Sequence, residues 1–253
     1  MKDILLLLLT VCSCFPCHAQ DEEDHDPSPA SQAYHTARYY ETRPPYGLAK
    51  VQALIKTRTV RREDTLSDME GAGTDSLPER VYRTLSVREK FTYNMIYYES
   101  YSQGCNYVGP MVDEDKRIYA QIPDRIGDGY WGDRQTRFFK DNMDSVIALM
   151  TESITRAQRV GLNYKHVIID INAVNMIPLL IETYNLKKRD HDILTLLLLL
   201  MKNNHFAPFY ASVSYKKLYT GDHPYFGGSI TYNSANEALI IQRATDFYNS
   251  FFK

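Results

Sequence analysis

Five groups of residues in this chain have the types and spacing that chemistry needs. Cys14-Phe15-Pro16-Cys17-His18 has the C-x-x-C-H spacing that attaches a c-type haem, two thiols for the vinyl groups and a histidine for iron. It overlaps the end of an export signal and should leave with it, so no haem is expected. Asp124, Asp128 and Gly129 fall where a calcium loop places its first ligand, its fifth-position ligand and its glycine. Ile126 sits at a ligand position, however, and Gln135 replaces the closing glutamate, which leaves too little charge for calcium. The same stretch sets Tyr130 and Trp131 beside Asp128 and Asp133, rings to stack on a sugar and acids to bond its hydroxyls. These four are the candidate ligand-binding residues, against the plainer reading of a lone tryptophan pinning a loop to the core. His166 and Asp170 share a helical face, but His191, His205 and His223 are scattered, and zinc needs three or four convergent ligands. No metal is expected.

The fifth group is Glu99-Ser100 at a helix end, with Ala120-Gln121-Ile122-Pro123 downstream. This arrangement resembles the lytic transglycosylases, over six residues and without the intervening Gly-Ala-x-Gly-Leu-Met signature. The resemblance implies a glycan-cleaving reaction in which Glu99, as a carboxylic acid, protonates the glycosidic oxygen while Gln121 positions substrate. No P-loop, Gly-x-Ser-x-Gly elbow or dinucleotide fingerprint accompanies it, so no cofactor is expected. On balance the sequence leans away from an enzyme.

The elements that would carry these residues are helical. Ile193 to Met201 is apolar on every side of a helix and therefore has to be surrounded by other elements. Charged residues flank it, and its nine positions fall well short of the roughly 20 that a membrane span requires. Asp190 is the expected cap. A capping box, Ser86 to Glu89, opens a helix running to about 100. Phe139, Met143, Val146, Ile147, Met150, Ile154 and Ala157 predict one long helix over 133–160, stopped by Gly161. Another spans 164–173, and Pro178 forces a break near Asn175 before a helix to Tyr184. Helices at 190–203 and 207–219 follow, and a second box at Ser234 opens the last, to about 251. Only 229–232 hints at a strand. The expected fold is all-α, a single irregular bundle of six to eight helices.

The chain begins like an exported protein. Lys2, the apolar run Ile4 to Val11 and small residues before Gln20 have the order of a signal peptide over 1–19, cleaved after Ala19. The alternative is a lipobox at Val11-Cys12-Ser13-Cys14 that anchors a lipoprotein through Cys14. Cleavage leaves one cysteine, Cys105, with no disulfide to form and no basic neighbour to activate it. Residues 20–76 read as a mostly disordered polar leader with one short helix at 47–58, ahead of a helical domain over 77–253. Within that leader Tyr34, Tyr39, Tyr40 and Tyr46 stand between arginines, a composition suited to contact with a partner.

The totals exclude some classes. With 29 basic and 31 acidic residues the net charge is -2, and Asp21, Glu22, Glu23, Asp24 and Asp26 more than account for it. The remainder is only mildly basic, too little to predict nucleic-acid binding. Twenty tyrosines against one tryptophan suit half-wet surfaces. The expectation is a non-enzymatic periplasmic or secreted domain that meets a protein or envelope glycan through its loops at 101–132 and 220–232.

Overall fold

A computed structural model describes residues 26–57, 73–102, 108–125, 127, 129–221 and 228–252. Residues 1–25 with the C-x-x-C-H motif, Cys105, Asp128 and His223 lie outside them. The described residues form twelve α-helices: α1 (Pro29–Arg38), α2 (Leu48–Lys56), α3 (Glu79–Tyr82), α4 (Val87–Ile96), α5 (Asp133–Asp141), α6 (Met143–Ala157), α7 (Leu162–Asp170), α8 (Ile177–Lys187), α9 (His191–Asn203), α10 (Ala207–Tyr210), α11 (Val213–Tyr219) and α12 (Ser234–Phe252). Five short strands accompany them: β1 (Gly73–Thr74), β2 (Ser100–Tyr101), β3 (Arg117–Tyr119), β4 (Gly129–Tyr130) and β5 (Ser229–Thr231). One antiparallel sheet has the order β1-β2-β4, and β3 pairs with β5 antiparallel, Ile118 opposite Ile230. None of these helices is long and apolar enough to cross a membrane.

The leucine-rich helix α9 is the buried axis. Leu194, Leu196, Leu197, Leu198, Leu200 and Met201 have no exposed surface, and α7, α8, α10, α12 and β3 pack around them. Each fully buried leucine removes a whole apolar side chain from water, worth about 1.5–3 kcal/mol before the entropy of ordering is set against it.

The architecture is mostly helical, as expected, but with more helices than six to eight and with strands. The long helix foreseen over 133–160 is two, because Asn142 leaves helical geometry (φ -118, ψ 29) and its side chain donates to the Phe138 carbonyl at 3.0 Å. Strand β5 lies in the 229–232 stretch that hinted at a strand; the other four, two or three residues each, are too short for alternation to reveal, and distant pairing creates them. Capping also departs from expectation in two places. Ser86 and Glu89 do form their box, but α12 is capped by Asn233, whose side chain accepts from the Asn236 amide at 2.9 Å. Asp190 makes no capping bond either; its carboxylate accepts from Lys165 Nζ at 2.7 Å.

The largest departure is the leader, where residues 26–57 are folded against the domain. Helix α1 buries Ser31, His35 and Arg38, which lie one turn apart along a single face. That face is polar, so hydrophobic periodicity could not expose it. Its partners are equally polar: Ser31 Oγ donates to Asp115 at 2.6 Å, and His35 Nδ1 lies 2.8 Å from Glu114. Arg38 forms a fork onto both Asp192 oxygens at 3.1 and 3.0 Å from Nε, with Nη1 donating to Glu114 at 2.7 Å. Burial alone would raise Asp192; Arg38 and Lys165 outweigh it and hold the carboxylate below its usual range. The short helix foreseen at 47–58 is α2, and its Val51 enters a second, smaller core with Leu77, Tyr82, Leu85 and Tyr93.

Between α1 and α2 the chain is stitched to the start of α7. Asn163 bonds the Thr42 backbone on both sides, Oδ1 accepting at 3.0 Å and Nδ2 donating at 2.9 Å. Gly161 permits this approach, since a Cβ there would meet the Thr42 nitrogen at 2.4 Å. Its role is that close contact; α6 itself ends earlier, at Gln158 in the left-handed conformation (φ 49).

Candidate binding site

The residues expected to bind a ligand do not share one open surface. Trp131 is inside: its indole N–H donates to the Asn94 carbonyl at 2.7 Å and its ring meets Phe139 edge-on at 4.9 Å. The Arg125 guanidinium covers it at 3.9 Å and also sits 4.4 Å over Tyr98. Tyr130 is exposed on β4, and Asp133 is exposed in the first turn of α5, where an acid suits the helix dipole. Asp128 lies outside the described residues. Gln135, which closes the calcium-like spacing, is buried and accepts from the amides of Glu99 at 2.9 Å and Gly132 at 3.2 Å. It therefore holds the loop together by hydrogen bonds of its own.

Glu99 is a buried and fully engaged carboxylate. Tyr93 donates to Oε1 at 2.8 Å, and Arg134 reaches it through Nε, at 3.2 Å from Oε2, and through Nη2 onto Oε1. Arg134 in turn bonds Glu79 and the Leu77 carbonyl at 3.0 Å each. A general acid needs a proton and a path to substrate; this side chain has a guanidinium against it and is 5% exposed. Gln121 is exposed, just after β3 in the other sheet. The histidines do not converge. His166 uses Nε2 on the Pro123 carbonyl at 3.1 Å, and burial together with Arg125 lowers its pKa to about 4. His191 stacks on Tyr232 at 3.7 Å, and His205 is exposed. Among the described residues no three His, Cys, Asp or Glu side chains are grouped so as to hold a metal ion.

A separate concave surface lies along the folded 26–57 segment. A groove of about 980 Å³ runs between the 39–45 connection, α2, the end of α4 and the last turns of α6. Tyr39, Tyr40 and Tyr98 supply rings, Ile55, Met95 and Ile96 an apolar floor, and Gln52 a neutral polar group. Its one carboxylate, Glu41, already accepts from the Tyr98 hydroxyl. Three exposed cations, Arg43, Lys56 and Arg156, line it with no carboxylate partner among the described residues. Elsewhere Arg38 is matched to Asp192 and Glu114, Lys50 to Glu89, Arg134 to Glu99 and Lys188 to Glu237, while other exposed cations such as Arg137, Lys140, Lys216 and Lys217 have no ion pair among the described residues. What sets Arg43, Lys56 and Arg156 apart is that they share one concave surface. The groove is thus a concave, ring-bearing surface with surplus positive charge, and water is excluded from only part of it.

The groove lies apart from the 101–132 and 220–232 loops that the sequence pointed to, but it includes two of the tyrosines set between arginines. Tyr39 and Tyr40 line the groove, while the cations on its far wall, Lys56 and Arg156, come from separate helices. No linear signal joins them. No protein-family model matches the chain, and no curated protein or solved structure is significantly similar to it.

Proposed function

We propose that this protein is a non-catalytic binding module, exported by its N-terminal signal, whose groove holds an anionic glycan. The observation that carries this reading is the set of three exposed, unmatched cations, Arg43, Lys56 and Arg156, around a cleft lined with tyrosines. Sugar rings present C–H faces that stack on tyrosine, their hydroxyls bond to groups such as Gln52, and carboxylate or sulfate substituents answer arginine and lysine. A neutral glycan would leave the charge unanswered. The 101–132 connection fits a docking role less well, since Glu114, Ile118 and Trp131 along it are buried.

The test is a binding titration of the mature chain with a sulfated or uronate oligosaccharide, a neutral oligosaccharide of equal length and an acidic peptide. The acidic saccharide should bind best, and the Arg43→Gln, Lys56→Gln, Arg156→Gln triple variant should lose about tenfold or more in affinity while keeping its helical spectrum. Equal binding of the peptide, or an unchanged triple variant, would overturn the reading. Mass spectrometry of the purified mature N-terminus tests export: a start at Gln20 is expected, and an intact Met1 or a lipid on Cys14 would contradict a cleaved, unanchored product.

A further inference from the structure

Beside the groove, across the last turn of α6, is a second and smaller cavity of about 220 Å³. The two are neighbours by construction. Arg156 and Ala157 line the groove while Gln158, Arg159 and Val160 line the cavity; Tyr39 and Tyr40 line the first while Ala37 and Arg38 line the second. The partition between them is Arg159 stacked on Tyr40, guanidinium carbon 3.6 Å from the ring centre, with Nη2 donating to the Ala37 carbonyl at 3.1 Å.

Charge in the cavity follows the same rule as in the groove. Its buried cation Arg38 is already answered by Asp192 and Glu114, and its half-buried Asp190 by Lys165. Its exposed cations, Lys187 and Arg189, have no carboxylate partner among the described residues. Between them Lys188 adopts the left-handed conformation (φ 50) and is taken up by Glu237 at 2.6 Å. The wall also carries Tyr34, whose buried hydroxyl has no hydrogen-bond partner. That hydroxyl is sealed from solvent and faces the interior; it is the surplus positive charge beside a cavity of monosaccharide size that suits one acidic sugar unit.

We infer that this cavity is a second subsite for the same ligand: an acidic oligosaccharide lies in the groove, crosses the Arg159–Tyr40 pair, and places a further charged unit against Lys187 and Arg189. This rests on the glycan reading of the groove and adds to it that the ligand is a chain, read at two charged positions.

A length series of uronate oligosaccharides tests it, from a single unit to a chain long enough to reach both sites. The probes are the mature wild-type protein, the Lys187→Gln, Arg189→Gln variant and the groove triple variant. Both variants change exposed side chains, and their spectra and melting should match wild type. The long chain should bind with one ligand per protein and lose about tenfold in each variant, whereas ligands too short to cross should be insensitive to Lys187→Gln, Arg189→Gln when seated in the groove. If only the groove variant weakens the long chain, the second subsite is wrong and the groove stands. Two independent ligands per protein would also overturn the bridge. No binding of any length to wild type would remove both readings together.

Discussion

Arg38 and Arg43 lie five residues apart on one folded segment and have opposite circumstances. Arg38 is 6% exposed, its guanidinium shared between Asp192 and Glu114; Arg43 stands exposed on a groove wall with no carboxylate among the described residues to meet it. The difference separates charge that builds the molecule from charge left over for a partner. A buried ion forces the fold to supply its counter-ion, because an unpaired buried charge costs several kcal/mol. A solvated cation imposes no such demand. Where several gather around a concave surface, we propose that they meet an anionic partner.

The comparison breaks most sharply at Arg38. Arg38→Ala removes the guanidinium that Glu114 and Asp192 share and leaves them only His35 and Lys165, and denaturant unfolding should show a loss of about 3–5 kcal/mol. Arg43→Ala should stay within about 0.5 kcal/mol of wild type in the same assay. Similar losses for the two would erase the distinction between the two kinds of charge.

Glu99→Gln comes next. The amide keeps an acceptor for Tyr93 but leaves Arg134 short of an anion, so stability should fall by about 1–3 kcal/mol. Binding of acidic glycan should be unaffected, and neither wild type nor variant should release fragments from cell-wall glycan. Cleavage by wild type that vanishes in the variant would reinstate Glu99 as an acid.

A smaller effect lies in pH. His166 is held neutral in the folded protein, its pKa lowered to about 4 from an ordinary 6.5, by burial first and Arg125 second. The unfolded chain therefore takes up a proton more readily than the folded one. The stabilising contribution is complete above pH 6.5 and drains away as pH falls toward about 4. Melting followed across that window should decline for wild type, and His166→Asn should flatten part of the decline. An unaltered slope in the variant would place the acid sensitivity elsewhere, with Asp192 the next group to examine below pH 4.

How much of this was legible in the sequence follows from what kind of face each element buries. The axis α9 announced itself because every one of its faces is apolar, and the Ser86–Glu89 box because capping is local. The break at Pro178 is local too: it enters α8 in its first turn. Helix α1 was hidden because its buried face is Ser31, His35 and Arg38, whose partners lie 76 to 154 residues away for Arg38 and 84 for Ser31. No periodicity rule reads a complementary polar face. Apart from β5, at the 229–232 stretch that showed alternation, the strands were hidden because pairing makes them. The groove was hidden for the same reason as α1: its cations come from the 39–45 connection, α2 and α6, and only folding gathers them. Trp131 shows the reverse error, a conspicuous residue whose N–H and ring are both committed to the interior.

The central claim, that the groove's unmatched cations are what binds, is tested most directly by titrating an acidic and a neutral oligosaccharide of equal length into the purified protein at low and at physiological ionic strength. The acidic ligand should bind and weaken as salt screens the cations, while the neutral one binds weakly or not at all. Equal affinities for the two, or binding of the acidic ligand that is indifferent to salt, would contradict it.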